Sequence, residues 1–262
     1  MPGLGLGTWE NDDPGQCAES VETALEVGYR HIDTAQIYGN ESAVGDGIER
    51  ANVDREEIFL ATKVWIDKLG HEDVIHSTAQ SMDRLGVDRL DLLYVHWPAG
   101  EYEPRDTLGA FEELYDRGWI DRIGVSNFEP RHLEAAGSAI DTPIFANQVE
   151  IHPLLQQAEL REYCADAGIE LVAYSPLARG DVFGVDVLEE IADAHGTTAA
   201  SVSLAWLREK GITAIPKATG VDHIEENWAS LDVELRTEDI EAIDALDRTT
   251  RQVDPDFGPS EW

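Results

Sequence analysis

The sequence predicts an α/β protein that folds as a single (β/α)8 TIM barrel over residues 1–262. Its 262 residues, 42% of them hydrophobic, suit a one-domain α/β barrel. Short, nearly continuous apolar segments alternate with amphipathic ones, which is typical of parallel strands covered by helices on both faces. The alternation has no linker or low-complexity break. An open doubly wound sheet is the alternative, but Gly3, Gly5 and Gly7 lack the Gly-x-Gly-x-x-Gly spacing of a dinucleotide-binding turn.

Each strand is predicted from a short apolar or β-branched segment. The strands predicted in this way are 4–9, 31–33, 58–63, 90–96, 120–125, 145–149, 170–173 and 213–215. The helices predicted from amphipathic patterns are 15–27, 41–50, 71–85, 106–117, 130–139, 157–167, 186–209 and 237–248. Gly28, Gly86, Gly118 and Gly168 stand where a glycine commonly ends a helix.

The charge is strongly negative, with 53 acidic and 19 basic side chains and a net charge of −34. Phosphates would be repelled, so nucleic acid and anionic membranes are excluded as partners. No apolar run approaches the roughly 20 residues of a membrane helix. The acids are dispersed and only 4 lysines occur. This composition predicts a halophilic protein, whose self-repulsion is screened by salt; an acidic protein without salt adaptation is the alternative.

The two cysteines do not decide the redox compartment, and we expect a cytoplasmic protein. Cys17 and Cys164 are too few and too far apart for a disulfide framework or a zinc ribbon. The first residues lack the basic and long apolar regions of a secretory signal.

Three predicted strands end in an ionisable residue: Asp33, Lys63 and His96. They are 30 and 33 residues apart, about one βα unit each, so a barrel places them together at the carboxyl ends of its strands, where barrel enzymes have their active sites. Tyr38 follows Asp33 on the same loop. The sequence therefore predicts that these four side chains meet.

This set suits delivery of a proton to an oxygen that is becoming an alkoxide. An ammonium at Lys63 would lower the pKa of Tyr38 from about 10, Asp33 would keep Lys63 charged, and His96 would hydrogen-bond the substrate oxygen. Carbonyl reduction by a hydride-carrying cofactor is such a reaction. Each residue alone also fits a structural role, such as a helix cap for Asp33 or a core histidine for His96.

The segment 28–41, GYRHIDTAQIYGNE, resembles the signature of the aldo-keto reductase family. Further segments similar to family motifs follow the family order between residue 3 and about residue 247: Gly7-Thr8-Trp9, Thr62-Lys63-Val64-Trp65, His96-Trp97-Pro98, 124–128, 147–153, 174–177, 215–217 and Glu226-Asn227.

The resemblance implies a barrel that binds NADPH or NADH in an extended form. It implies that Tyr38 is the general acid and that Asp33, Lys63 and His96 are its catalytic partners. The cofactor-binding residues that it implies are Thr8, Trp9, Ser126, Asn127, Gln148, Tyr174, Ser175, Leu177, Lys217, Thr219, His223, Glu226 and Asn227. Ser126 and Asn127 also fit a helix cap, and Gln148 fits a polar position inside the barrel.

The choice of cofactor depends on a departure from the family pattern. In NADPH-preferring members a serine follows the residue at Lys217 and an arginine lies six residues on, whereas this chain has Ala218 and His223. A bidentate arginine contact to the 2′-phosphate is therefore lost. His223 stacked on adenine would suit either cofactor, while Lys217 favours NADPH. We expect both cofactors to be used, with NADPH slightly preferred.

The substrate side is expected to be aromatic and open. The residues implied to line it are Trp9, Tyr38, Trp65, His96 and Trp97. The loop after His96 is short and only 14 residues follow Arg248, so we expect broad specificity for small aldehydes, ketones or keto-sugars. The pattern is nearest to short prokaryotic reductases, including those acting on diketogluconate. We expect a monomer, as is usual in the family.

Two other functions fit parts of the sequence. A metal-dependent hydrolase could use His31, Asp33, His96 and His152 as ligands. However, His31 would start its strand, far from the catalytic mouth, and Lys63 would have no role, so we expect no metal. A catalytically silent, cofactor-binding regulatory barrel is the other alternative, and the complete set around Tyr38 argues against it.

Overall fold

A computed structural model of the protein describes residues 1–259. Its centre is a sheet of 8 parallel strands that pair in sequence order. The strands are β1 (Leu6–Gly7), β2 (His31–Asp33), β3 (Phe59–Val64), β4 (Leu92–Val95), β5 (Ile123–Ser126), β6 (Ile144–Glu150), β7 (Glu170–Tyr174) and β8 (Thr213–Ala214). The amide of Gly5 donates to the carbonyl of Ala214 at 2.8 Å, so the last strand also meets the first. The predicted (β/α)8 barrel is confirmed.

Helices surround the barrel. They are α1 (Pro14–Val27), α2 (Glu41–Arg50), α3 (His71–Leu85), α4 (Pro104–Asp116), α5 (Pro130–Gly137), α6 (Ala158–Ala167), α7 (Asp186–His195), α8 (Ala199–Glu209), α9 (Val221–Ala229) and α10 (Thr237–Asp244). Asp13 is the N-cap of α1. Its carboxylate accepts a hydrogen bond from the amide of Gln16 at 2.8 Å, and Pro14 takes the first helical position.

One helix prediction was wrong, and one helix was not predicted. The predicted helix 186–209 is two helices, because Gly196 ends α7 in the left-handed conformation and Thr198 caps α8 through its side chain. Helix α9 was missed. It spans only 9 residues, which makes its periodic pattern short, although Val221, Ile224 and Trp228 have helical spacing. Trp228 packs so closely on Gly28 that a Cβ there would lie 2.5 Å from its ring.

The barrel interior explains how the strands position their polar ends. A separate apolar cluster fills it, formed by Phe59, Ala61, Leu92, Tyr94, Ala146, Val172 and Ile215. Because strand residues alternate between faces, Lys63 and Gln148 continue the inward rows of Ala61 and Ala146 toward the carboxyl ends. The sheet thus aims these polar side chains at one end of the barrel.

The helices pack their apolar faces on the outside of the sheet and form the larger core. Within the described residues, no helix is long and apolar enough to cross a membrane.

Candidate active site

A cleft of about 560 Å³ opens at the carboxyl ends of the strands. Most of the predicted site residues line it, namely Thr8, Trp9, Asp33, Tyr38, Trp65, His96, Trp97, Ser126, Asn127, Gln148, Tyr174, Ser175, Leu177 and Lys217. Lys63 lies directly behind this lining, fully buried. The barrel therefore brings the four predicted catalytic side chains together.

Lys63 links two of the others. Its ammonium pairs with the carboxylate of Asp33 and also donates to the carbonyl of Thr34 at 2.8 Å and to the hydroxyl of Tyr38 at 3.4 Å. The second carboxylate oxygen of Asp33 accepts from the side-chain amide of Gln148 at 2.7 Å. Every donor of the ammonium is thereby directed at an oxygen, which compensates for its burial.

Burial controls the protonation states of this group. It raises the pKa of Asp33 and lowers the pKa of Lys63, and in each case the charge of the partner acts in the opposite direction. The pKa of Tyr38 is raised well above its ordinary value, first by burial and then by the negative charge of Asp33. The predicted lowering by Lys63 was therefore wrong for this structure: desolvation outweighs the ammonium, whose charge is paired with Asp33.

His96 stands beside the phenol. The rings of His96 and Tyr38 meet edge to face, 5.8 Å between centroids, and Trp65 also packs edge to face on His96, at 5.0 Å. Burial and then the charge of Lys63 lower the pKa of His96 well below its usual value. At neutral pH the imidazole is consequently uncharged. Its single N–H group can still donate a hydrogen bond to the substrate.

Polar side chains on β5, β6 and β7 form one connected group on the floor of the cleft. Tyr174 donates to the amide oxygen of Asn127 at 2.9 Å, and the amide nitrogen of Asn127 donates to Ser126 Oγ at 3.1 Å. The hydroxyl of Ser126 in turn donates to the main-chain carbonyl of Gln148 at 2.8 Å. Asn127 holds the left-handed conformation, with φ 64°, which asparagine tolerates better than most residues.

The remaining predicted cofactor residues lie apart from this group. Thr219, His223, Glu226 and Asn227 are on α9 or just before it and do not line the cleft. The side chain of His223 is 77% exposed, with Nδ1 3.6 Å from Glu226. Lys217 is the residue that connects the two regions, since it lines the cleft two positions before Thr219.

The cleft also has walls that sequence reasoning did not assign. Phe257, from the C-terminal tail, packs edge to face on Trp65 at 5.8 Å and on Trp97 at 5.4 Å. Arg179 lies over the ring of Trp9 at 4.4 Å. Ile37, Val253 and Pro255 are among the other lining residues that were not assigned. The apolar residues of the tail indicated that it packs against the protein. The sequence did not show where, because their partners lie far away in the chain.

Within residues 1–259, no group of three His, Cys, Asp or Glu side chains could hold a metal ion. His31 lies at the start of β2, at the opposite end of its strand from Asp33. His152 instead hydrogen-bonds Glu150 at 2.9 Å. The metal-hydrolase alternative therefore has no ligand set in the described part of the chain.

Comparison with known proteins shows the family of the chain. Residues 3–248 match the Aldo/keto reductase family. The chain is 43% identical to a glyoxal reductase of Bacillus subtilis, over 96% of this chain and 91% of the relative. It is 38% identical to a methylglyoxal reductase, DkgB, of Escherichia coli O157:H7, over 100% of this chain and 99% of the relative.

A solved structure assigned as a 2,5-diketo-D-gluconic acid reductase B superposes with a TM-score of 0.95 at 36% identity, over 99% of this chain and 93% of that one. These findings confirm the resemblance seen in the sequence, including its nearness to short bacterial reductases. The chain belongs to the aldo/keto reductase family and is an oxidoreductase that reduces carbonyl groups.

Proposed function

We propose that this protein reduces small aldehydes and ketones, including keto-sugars, to alcohols with NADPH or NADH, and that Tyr38 is the general acid. One observation carries the proposal: the buried ammonium of Lys63 contacts both the carboxylate of Asp33 and the hydroxyl of Tyr38, directly behind the lining of an aromatic cleft. When bound, the nicotinamide supplies the hydride.

The chemistry of the cleft fits such a cofactor. Tyr174 offers an aromatic face, the side-chain amide of Asn127 hydrogen-bonds its hydroxyl, and Gln148 lines the same cleft. Lys217 and Arg179 add positive charge to the same cleft, which favours the phosphates of a dinucleotide. We propose that Ser126, Asn127 and Gln148 hold the carboxamide. Thr8, Trp9, Ser175 and Leu177 would contact the middle of the cofactor, and Lys217, Thr219, His223, Glu226 and Asn227 its adenosine end.

Proton transfer is the part that the chain itself performs. The raised pKa keeps Tyr38 protonated at neutral pH, so its hydroxyl can deliver a proton to a substrate oxygen that becomes negative. The ammonium of Lys63 then stabilises the phenolate that is left, and Asp33 holds the ammonium in place. Neutral His96 donates a hydrogen bond that orients the substrate oxygen.

The relatives support a small substrate. Two of them are named for glyoxal and methylglyoxal, and the walls formed by Trp9, Trp65, Trp97 and Phe257 are aromatic. Apolar walls around a few polar groups are typical of sites for small organic molecules.

The wider properties of the protein follow the same proposal. We infer one domain over residues 1–262, a cytoplasmic monomer without nucleic-acid partners, and a modest preference for NADPH over NADH. The net charge of −34 supports a halophilic protein, since salt screens surface repulsion.

The proposal is tested with Tyr38→Phe, which removes one hydroxyl from the cleft. Oxidation of NADPH and of NADH by an aromatic aldehyde and by methylglyoxal is followed in concentrated KCl. We expect kcat to fall by a factor of about 10² to 10⁴, while the Kd for NADPH, measured by protein fluorescence, stays within about twofold. Full activity in the variant, or cofactor binding without turnover of any carbonyl by the wild type, would refute the proposal.

A further inference from the structure

Glu150 is a buried carboxylate at the end of β6, with no role in the chemistry proposed above. Its side chain has no exposed surface. It continues the inward row of Gln148 and pairs in register with Tyr174 of β7. An ionised carboxylate in such a place requires strong hydrogen-bond donors around it.

Two of those donors come from the C-terminal tail. The amide of Gln252 donates to Oε1 of Glu150 at 2.6 Å, and the amide of Val253 donates to Oε2 at 2.9 Å. His152 Nε2 lies 2.9 Å from Oε1, and because a carboxylate only accepts, Nε2 carries the hydrogen. Both oxygens are thereby engaged, and the tail is joined to the barrel across more than 100 residues of sequence.

The tail segment just beyond this anchor forms part of the substrate wall. Val253, Pro255 and Phe257 line the cleft, and the ring of Phe257 closes against Trp65 and Trp97. Chain termini are poorly ordered unless they are tied to the fold. Another side-chain tie nearby, from Gln252 to Asp181 at 2.8 Å, is exposed to solvent, so the buried tie is the stronger one.

We propose that Glu150 is a positioning residue that sets substrate selectivity by holding the backbone of Gln252 and Val253, and through it the aromatic wall of Phe257. This inference rests on the proposed function, because it concerns which carbonyl compounds the cleft accepts. An aromatic aldehyde would touch the Phe257 wall and gain from it. A two- or three-carbon dicarbonyl compound would be too small to depend on it.

The anchor itself is tested without activity, by hydrogen exchange of residues 250–258 in Glu150→Gln. A glutamine keeps the shape but offers one acceptor oxygen, so at least one tail amide loses its partner. We expect exchange of the Gln252 and Val253 amides to speed up by about tenfold or more. The matched control is Asp181→Asn, an acid-to-amide change at the exposed tie to Gln252, which should leave exchange unchanged. Unchanged protection in Glu150→Gln would overturn the anchor.

The effect on selectivity is tested with a double-mutant cycle between Glu150→Gln and Phe257→Ala. For benzaldehyde, Glu150→Gln should raise KM by about fivefold or more with kcat within about twofold, and for methylglyoxal both should stay near wild type. In a protein that already carries Phe257→Ala, adding Glu150→Gln should change KM for benzaldehyde little. The inference would be overturned by a fivefold rise of that KM in the double variant, or by an equal rise of KM for both substrates.

Two safeguards keep the outcomes separate. If Glu150→Gln does not fold, Gln252→Pro removes the amide that donates to Oε1 from the tail side, in a half-buried and non-helical segment. Exchange of the Val253 amide should then speed up by about tenfold or more, and the same changes of KM are expected. Lack of carbonyl turnover by the wild type would count against the proposed function, whereas unchanged amide exchange counts against the anchor.

Discussion

The ammonium of Lys63 and the carboxylate of Asp33 form an ion pair that is almost completely shielded from water, with 0% and 2% of the side chains exposed. Gln148, the carbonyl of Thr34 and the hydroxyl of Tyr38 complete its hydrogen bonds. Such a pair stabilises a fold only while both members are present, because the removal of one leaves an uncompensated buried charge.

We therefore expect Lys63→Met to lower the free energy of unfolding by about 3–5 kcal/mol. The double variant Lys63→Met/Asp33→Asn should recover most of that loss, because no charge remains to be desolvated, but it should stay inactive. Denaturant unfolding of the single and double variants gives the stabilities, and aldehyde reduction gives the activity. A double variant as unstable as the single one would contradict this account.

His96 gives a prediction about pH. Because burial and Lys63 depress its pKa and burial raises that of Tyr38, neither group changes protonation near neutrality. We expect kcat/KM for aldehyde reduction to be flat between about pH 6 and pH 8. A loss of activity near pH 6.5 in the wild type that is absent from His96→Gln would show instead that the imidazole titrates there.

His31 predicts sensitivity to acid. It is fully buried, and within the described structure neither ring nitrogen has a hydrogen-bond partner. Burial, helped by the positive charges of Lys63 and of the amino terminus, lowers its pKa to about 3. In the unfolded chain the pKa of His31 is about 6.5, so between that pH and about pH 3 the unfolded chain binds a proton that the folded protein does not. The free energy of unfolding therefore falls as the pH falls, by about 2 kcal/mol at pH 5 relative to pH 7.

The matched variants are His31→Leu and, at an exposed position, His76→Leu. We expect denaturant unfolding of His31→Leu to lose about 2 kcal/mol less than the wild type on the change from pH 7 to pH 5, while His76→Leu follows the wild type. Equal acid sensitivity in all three proteins would contradict the low pKa of His31.

The side chain of His223 is exposed, so a substitution there can alter the preference between NADPH and NADH without disturbing the core. Ala218→Ser combined with His223→Arg adds a hydroxyl and a bidentate donor for a 2′-phosphate. We expect the ratio of kcat/KM for NADPH to that for NADH to rise by about tenfold or more. His223→Gln, which adds no charge, serves as the control and should leave the ratio nearly unchanged. An unaltered ratio in the arginine variant would place the 2′-phosphate elsewhere.

The acidic surface predicts a response to salt. With 53 acidic and 19 basic residues, repulsion weakens as the Debye length falls from about 10 Å at 0.1 M salt to about 3 Å at 1 M. We expect Tm and aldehyde reduction to increase with KCl over this range. Sucrose at matched osmolality separates screening from general solute exclusion. A Tm that rises equally in sucrose, or falls in KCl, would remove the argument for salt adaptation.

The sequence by itself determined the barrel and the meeting of Asp33, Tyr38, Lys63 and His96. Both follow from local rules: strand and helix periodicities are read over a few residues, and the spacing of one βα unit places successive strand ends at one mouth. The break at Gly196 could have been found by giving weight to glycine.

Only the tertiary structure decided the rest. The raised pKa of Tyr38 depends on desolvation, which is set by everything packed around the ring. The anchor between Glu150 and the tail amides, and the closure of Phe257 on Trp65, join residues more than 100 positions apart. No periodic pattern encodes such contacts, because they arise only when the barrel closes and brings the end of the chain back to its mouth.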